Sequence, residues 1–177
     1  LTYPHMSVAW SWAFDTPFDW FKQNASRLGG VNQNMVVSWP ARIKDKGGLR
    51  QQFVHVIDVV PTILEAAGLR APETVDGIKQ KPVEGTSFAY TFDPANAKAP
   101  SRHTTQYFEM MGQWALYKDG WLLSTKVNRA PWEAFGPANA DPLNNQVFQL
   151  YDLNTDFNQT QDIAAAKRIC AECPVIA

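Results

Sequence analysis

The residue types able to do chemistry are few and scattered. Lys22 stands in Phe21-Lys22-Gln23, and the three histidines are His5, His55 and His103. A lysine ammonium is a compact point charge that suits an anionic group. A lysine beside apolar residues more commonly lays its stem over them and keeps its head in water. No second histidine is near His55 in sequence, so it reads as a packed or surface residue rather than a metal ligand. His5 and His103 are likewise unpaired in sequence. Asp58 stands before an apolar helical pattern and reads as an N-cap, worth about 1 kcal/mol. Cys170 and Cys173 form C-x-x-C, half of a zinc site or a redox pair, but no second such pair exists. Inert thiols are the expectation. Trp10, Trp12 and Trp20 could line an aryl pocket; at this aromatic density they read as core.

The elements that must position these residues follow from periodicity. Thr16-Pro17-Phe18-Asp19 is a helix start, with Pro17 at the first helical position and Asp19 near the positive end. Phe18, Phe21, Ala25 and Leu28 recur at helical spacing, and Gly29-Gly30 supplies a stop. Lys22 would then flank an apolar stripe. Met35-Val36-Val37-Ser38-Trp39 reads as a buried strand ended by Pro40. The polar stretch 42–50 is a surface loop. A second helix starts at Asp58, has an apolar face of Val60, Ile63, Leu64 and Ala67, and stops at Gly68. Residues 70–100 are a long surface connection. Four short segments rich in aromatic and β-branched residues follow, at 104–108, 113–117, 121–125 and 147–152. Lys118-Asp119-Gly120 is a hairpin signal. The polar turn 154–161 precedes a terminal helix across the sheet.

Composition narrows the class. The chain has 177 residues, a 45% hydrophobic fraction, 7 Trp, 5 Tyr and 10 Phe, which is enough apolar material for a core. Lys and Arg total 16 against 17 Asp and Glu, so no basic excess points to nucleic acid. No apolar run reaches membrane-spanning length. The chain opens Leu1-Thr2-Tyr3-Pro4-His5 without a signal peptide, and the expectation is that its natural start lies upstream. The tail from Lys167 to Ala177 is expected to reflect a truncation or frameshift.

Six segments, in one order, resemble sulfatases of the bacterial arylsulfatase group, members of the alkaline phosphatase superfamily. These are Asp15–Val31 with its lysine and Gly29-Gly30; Met35–Pro40; Phe53–Gly68 with Asp58-x-x-Pro61-Thr62-x-Leu64; Lys79–Ser87; Gln106-Tyr107-Phe108-Glu109 with Tyr117-Lys118-Asp119-Gly120-Trp121; and Leu150-Tyr151-Asp152-Leu153. The resemblance implies an α/β fold, the end of an alkaline-phosphatase-like α/β sandwich domain followed by a small C-terminal antiparallel sheet with a helix. The expected division is 1–70 for the α/β portion, 71–102 for a surface linker and 103–177 for the small subdomain.

The resemblance also implies sulfate-ester hydrolysis, with a formylglycine nucleophile made in a C/S-x-P-x-R motif and a Ca²⁺ ion gathering sulfate oxygens. This sequence has no such motif, and the acidic calcium ligands of the family have no counterpart before Lys22. Lys22 carries over as the sulfate contact, and His5 ranks second. The lysine stands one residue farther from Gly29-Gly30 than in the commoner pattern. Asn32 stands where many sulfatases have Arg; it keeps hydrogen-bonding capacity but not charge. The expected partners are a small-molecule sulfate ester and an N-terminal half of the same protein, with no nucleic acid and no membrane. The expected location is periplasmic or secreted, and the chain alone is expected to be inactive. Two other readings stay open: part of a phosphodiesterase or phosphonate hydrolase of the same superfamily, and a non-catalytic binding module.

Overall fold

A computed structural model describes residues 5–127 and 146–167. Cys170, Cys173 and the tail beyond Lys167 lie outside the described residues. The architecture is mixed α/β, with short helices and a four-stranded antiparallel sheet. The chain divides into two compact units, one formed by residues 1–34 with 105–177 and the other by Met35–Thr104.

The first unit is built on the sheet. Its strands are β3 (Thr105–Met110), β4 (Gln113–Lys118), β5 (Trp121–Thr125) and β6 (Phe148–Asp152), each beside the next in chain order. Tyr107 pairs with Leu116, Leu116 with Leu123, and Leu123 with Leu150. Alternation puts Gln113, Ala115 and Tyr117 of β4, with Leu122 and Ser124 of β5, on the buried side. The expected strands are therefore present within one or two residues. Asp119 and Gly120 both have positive φ, as a two-residue hairpin turn with the twist of its flanking strands requires. Met111 and Gly112 make the same turn between β3 and β4. The short helix α4 (Ala164–Lys167) packs against β6 through its buried Ala164.

The helix expected from Pro17 to Leu28 does not form. Helices instead lie on either side: α1 (Val8–Asp15), capped by Ser7, and the single turn α2 (Leu28–Val31). Between them the backbone makes successive three-residue turns, Phe18 N to Asp15 O, Asn24 N to Phe21 O and Arg27 N to Asn24 O. The expected face survives in part, since Ala25 and Leu28 are buried, but the polar Asn24, Ser26 and Arg27 are buried with them. A segment buried on every side does not behave as an amphipathic helix. Gly29-Gly30 is no stop; it lies inside α2. A Cβ on Gly29 would collide with the Trp20 carbonyl, and one on Gly30 with the Asn24 carbonyl. The glycines let the 15–24 backbone lie directly against α2.

The second unit contains a three-residue 3₁₀ turn at Val56–Asp58 running into α3 (Val59–Ala67), then a small hairpin of β1 (Thr74–Val75) and β2 (Ile78–Lys79). Gly68 ends α3 in the left-handed conformation, with Leu69 N bonded back to Leu64 O, as its sequence position predicts. The helix face is not as expected. Thr62 is buried, while Val60 and Ile63 stand exposed. Met35–Trp39 also departs from expectation. It joins no sheet, and Val36 is 92% exposed. A buried strand needs a neighbour to pair its backbone and cover its side chains, and no described strand supplies one.

Candidate functional site

Lys22 sits at an exposed turn of the first unit, just before Gln23, whose φ is positive. Among the described residues it has no ion-pair partner. The turn is closed by hydrogen bonds from Asn24. Asn24 donates through its backbone and its side-chain amide to the Phe21 carbonyl, both at 3.3 Å. The Trp20 carbonyl lies against Gly29, where a Cβ would collide with it. The ammonium is thus carried on a short, fastened loop, not on a helix face. His5 is exposed at the beginning of the described residues, and no hydrogen bond or ion pair joins it to Lys22 among them. Asn32 is exposed after α2, its N–H bonded to Leu28 O at 2.6 Å.

Arg27 is what fastens this segment to the sheet, and sequence reasoning missed it. Its guanidinium donates to the Gln149 side-chain oxygen at 2.8 Å and to the Gln159 carbonyl at 3.3 Å. It also lies over the Tyr151 ring, 5.1 Å from the centroid. Asp19 is the nearest carboxylate at 3.7 Å, a loose pairing. Burial raises the Asp19 pKa, with Arg27 pulling the other way. Ser26 Oγ donates to the Gln113 side chain at 3.2 Å, and Gln159 accepts from Leu28 N at 2.7 Å. These partners lie 87 to 132 residues away in sequence, so no local pattern could have announced them. Asp15 contributes a buried carboxylate oxygen without a hydrogen-bond partner, and burial raises its pKa.

Asp58 in the second unit stands at the N-cap position of α3, but its side chain makes no capping hydrogen bond to that helix. Its fully buried carboxylate accepts from His55 N at 2.7 Å and from Thr86 N at 2.7 Å. His103 Nδ1 lies 2.8 and 2.9 Å from its two oxygens. An ionised carboxylate only accepts, so Nδ1 carries the proton in this contact. Thr62 Oγ1 donates to the Asp58 carbonyl at 2.6 Å and accepts from Phe88 N at 3.0 Å. One aspartate and one threonine therefore tie the start of α3 to residues 86–88 and to His103. Burial lowers the His55 pKa, the nearby His103 lowers it further, and Asp58 partly opposes both. The arrangement has the form of an aspartate–histidine pair. Its oxygens are spent on backbone donors, and it works as a hub of the fold.

Trp10 and Trp12, expected in the core, are exposed. No described group of three or more His, Cys, Asp or Glu side chains could hold a metal ion. No formylglycine motif is present in the sequence. No described helix is long and apolar enough to cross a membrane.

Residues 17–92 match the family described as N-sulphoglucosamine sulphohydrolase, C-terminal. The chain is also similar to an ulvan-active sulfatase of Formosa agariphila, 36% identical over 67 residues. That alignment covers 34% of this chain and 13% of the relative, so the chain spans only a small part of the relative's length. The fastened lysine turn, the glycine pair packed against it and the Asp58-led helix all fall inside the matched segment. By this match and this relative, residues 17–92 are similar to a C-terminal part of a sulfatase.

Proposed function

We propose that the chain supplies the sulfate-positioning, non-nucleophilic part of a sulfuric ester hydrolase and is inactive by itself. The observation that carries this is Lys22, an exposed cation on a loop fixed by the hydrogen bonds of Asn24 and Arg27, inside the segment that matches the sulfatase family. A fixed cation aimed at the oxygens of a transferring sulfuryl group stabilises charge without reorganising at the moment of reaction. The nucleophile and the Ca²⁺ ligands belong, in this reading, to an N-terminal portion that the chain does not contain. His5 is a secondary candidate for the same site. The matched family is named for a sulphated glucosamine and the relative for its action on ulvan, which favours a sulfated sugar over a simple aryl sulfate as substrate. A periplasmic or secreted location fits such a substrate.

Two experiments test the reading. The purified chain, given 4-nitrophenyl sulfate or a sulfated monosaccharide with Ca²⁺, is expected to show no turnover above buffer; turnover would overturn the claim of inactivity. Sequencing upstream of the Leu1 codon is expected to reveal a continuous frame with C/S-x-P-x-R. A frame carrying the nucleophile and metal ligands of a phosphodiesterase or phosphonate hydrolase would reassign the chain within the superfamily.

A further inference from the structure

The hub at the start of α3 holds two imidazoles and one carboxylate, so its charge does not balance at every pH. The His103 ring, 11% exposed, sits astride both oxygens of the fully buried Asp58 carboxylate. The half-buried His55 ring meets the His103 ring edge to face, with centroids 6.1 Å apart. Phe53 meets His103 in the same manner at 5.4 Å and brings no charge. The charged groups that act on His55 are His103 and Asp58. Arg102, next to His103 in sequence, lies over the Tyr90 ring, 4.1 Å from its centroid. Glu65 of α3 and Glu84 are exposed, and residues 86–88 contribute backbone N–H groups. One imidazolium beside Asp58 makes a neutral pair. A second leaves a net positive charge in a partly buried cluster, and an uncompensated buried charge is costly.

We propose that His55, His103 and Asp58 form an acid-sensitive latch. With at most one imidazole charged, the two rings stay packed, and Asp58 holds the start of α3 to Thr86 and His103. With both charged, like-charge repulsion drives the His55 ring out to water, and the bonds of His55 N and Thr86 N to Asp58 open with it. The proton comes from solvent and rests on a His55 ring nitrogen. Burial and His103 hold the His55 pKa below 6.5, with Asp58 opposing, so the neutral ring belongs to the closed form. The closing contribution is complete above 6.5 and is lost as pH falls from there through the lowered value. Other bonds nearby involve no titrating group. Gln52 Nε2 donates to the Asn96, Ala97 and Ala99 carbonyls, and Phe53 N donates to Ser101 Oγ. These keep residues 52–53 and 96–101 together at either pH, so the opening is local. The latch stands apart from the sulfatase reading.

The test is a pH titration of the full chain with two readouts. Ring-nitrogen NMR follows the histidines, and hydrogen exchange, corrected for intrinsic rates, follows the backbone. In wild type His55 is expected to titrate below 6.5. Peptides 55–66 and 84–92 are expected to exchange about tenfold faster at pH 5 than at pH 7.5, the low end of what two like charges 6.1 Å apart exert near a protein surface. Peptide 94–101 is expected to be unchanged. His103→Gln removes the second charge and is expected to move the His55 titration up toward 6.5, which a purely structural role for His103 would not do. His55→Gln is expected to hold 55–66 and 84–92 at their pH 7.5 rates when the pH is lowered to 5. His55→Lys carries charge at both pH values and is expected to show the acid rates at pH 7.5. If a variant disturbs folding by circular dichroism, the wild-type titration and exchange decide together. A His55 titration at or above 6.5 overturns the charge pairing. Equal exchange at pH 5 and pH 7.5 overturns the latch, as does acid-enhanced exchange that persists in His55→Gln.

Discussion

Replacing Asp58 removes more from the second unit than a helix cap would. Its carboxylate accepts two backbone N–H groups at 2.7 Å and the His103 ring N–H at 2.8–2.9 Å, at zero exposure. In Asp58→Ala the donors of His55, Thr86 and His103 lose their acceptor together. A buried donor left unpaired costs roughly 1–3 kcal/mol, and all three donors here are only partly buried, so about 1 kcal/mol each is appropriate. The loss is then about 3 kcal/mol, against about 1 kcal/mol for an ordinary cap. Asp58→Asn keeps one acceptor but turns an amide N–H toward another donor, and is expected to cost about half as much. This matters because the second unit has a meagre apolar core. Phe88 is its one buried apolar residue among those described, against exposed Val36, Val56, Val60 and Ile63. Hydrogen exchange by mass spectrometry reads the effect locally. Peptides spanning 55–66 and 84–104 are expected to exchange about a hundredfold faster in Asp58→Ala, the equivalent of about 3 kcal/mol of opening free energy, while 113–125 is unchanged. Exchange within threefold of wild type in both peptides would refute the hub.

Further expectations concern both units. Arg27→Met is expected to destabilise the first unit by roughly 2–4 kcal/mol, since the Gln149 and Gln159 oxygens lose a charged donor; urea unfolding against wild type measures it. Gly29→Ala is expected to cost at least about 1–3 kcal/mol, because its Cβ meets the Trp20 backbone rather than a movable side chain; the same unfolding curve checks it. Stability should also fall with acid through His55. Its folded pKa is held below the ordinary 6.5, so the neutral form is favoured in the fold. The contribution is present above that value and is lost as pH drops through the lowered pKa. His55→Gln should flatten that part of a stability profile measured from pH 8 to 5. Val60→Lys with Ile63→Lys, on the exposed face of α3, should reduce binding of a hydrophobic dye and aggregation while shifting the unfolding midpoint little, by light scattering and thermal melting.

The sheet and the second helix were legible in the sequence because their determinants are local. Alternating aromatic and β-branched residues between two-residue Gly turns leave an antiparallel meander little freedom, and β4 and β5 form where the pattern places them. Gly68 ends α3 for the same kind of reason: its left-handed φ is a property of the residue. Lys22 was legible as a chemical candidate but not as a position. The spacing of Phe18, Phe21, Ala25 and Leu28 imitates a helix, and the tertiary structure overrides it because Ser26, Arg27 and Leu28 bond to Gln113, Gln149 and Gln159. Asp58 was read as a cap because a cap needs only its own helix, whereas Thr86 and His103 reach it from 28 and 45 residues away. The exposed faces of Met35–Trp39 and α3 make the same point in reverse. Sequence pattern determines which residues want burial, but only a neighbouring surface can bury them, and no described residue covers Val36, Val60 or Ile63.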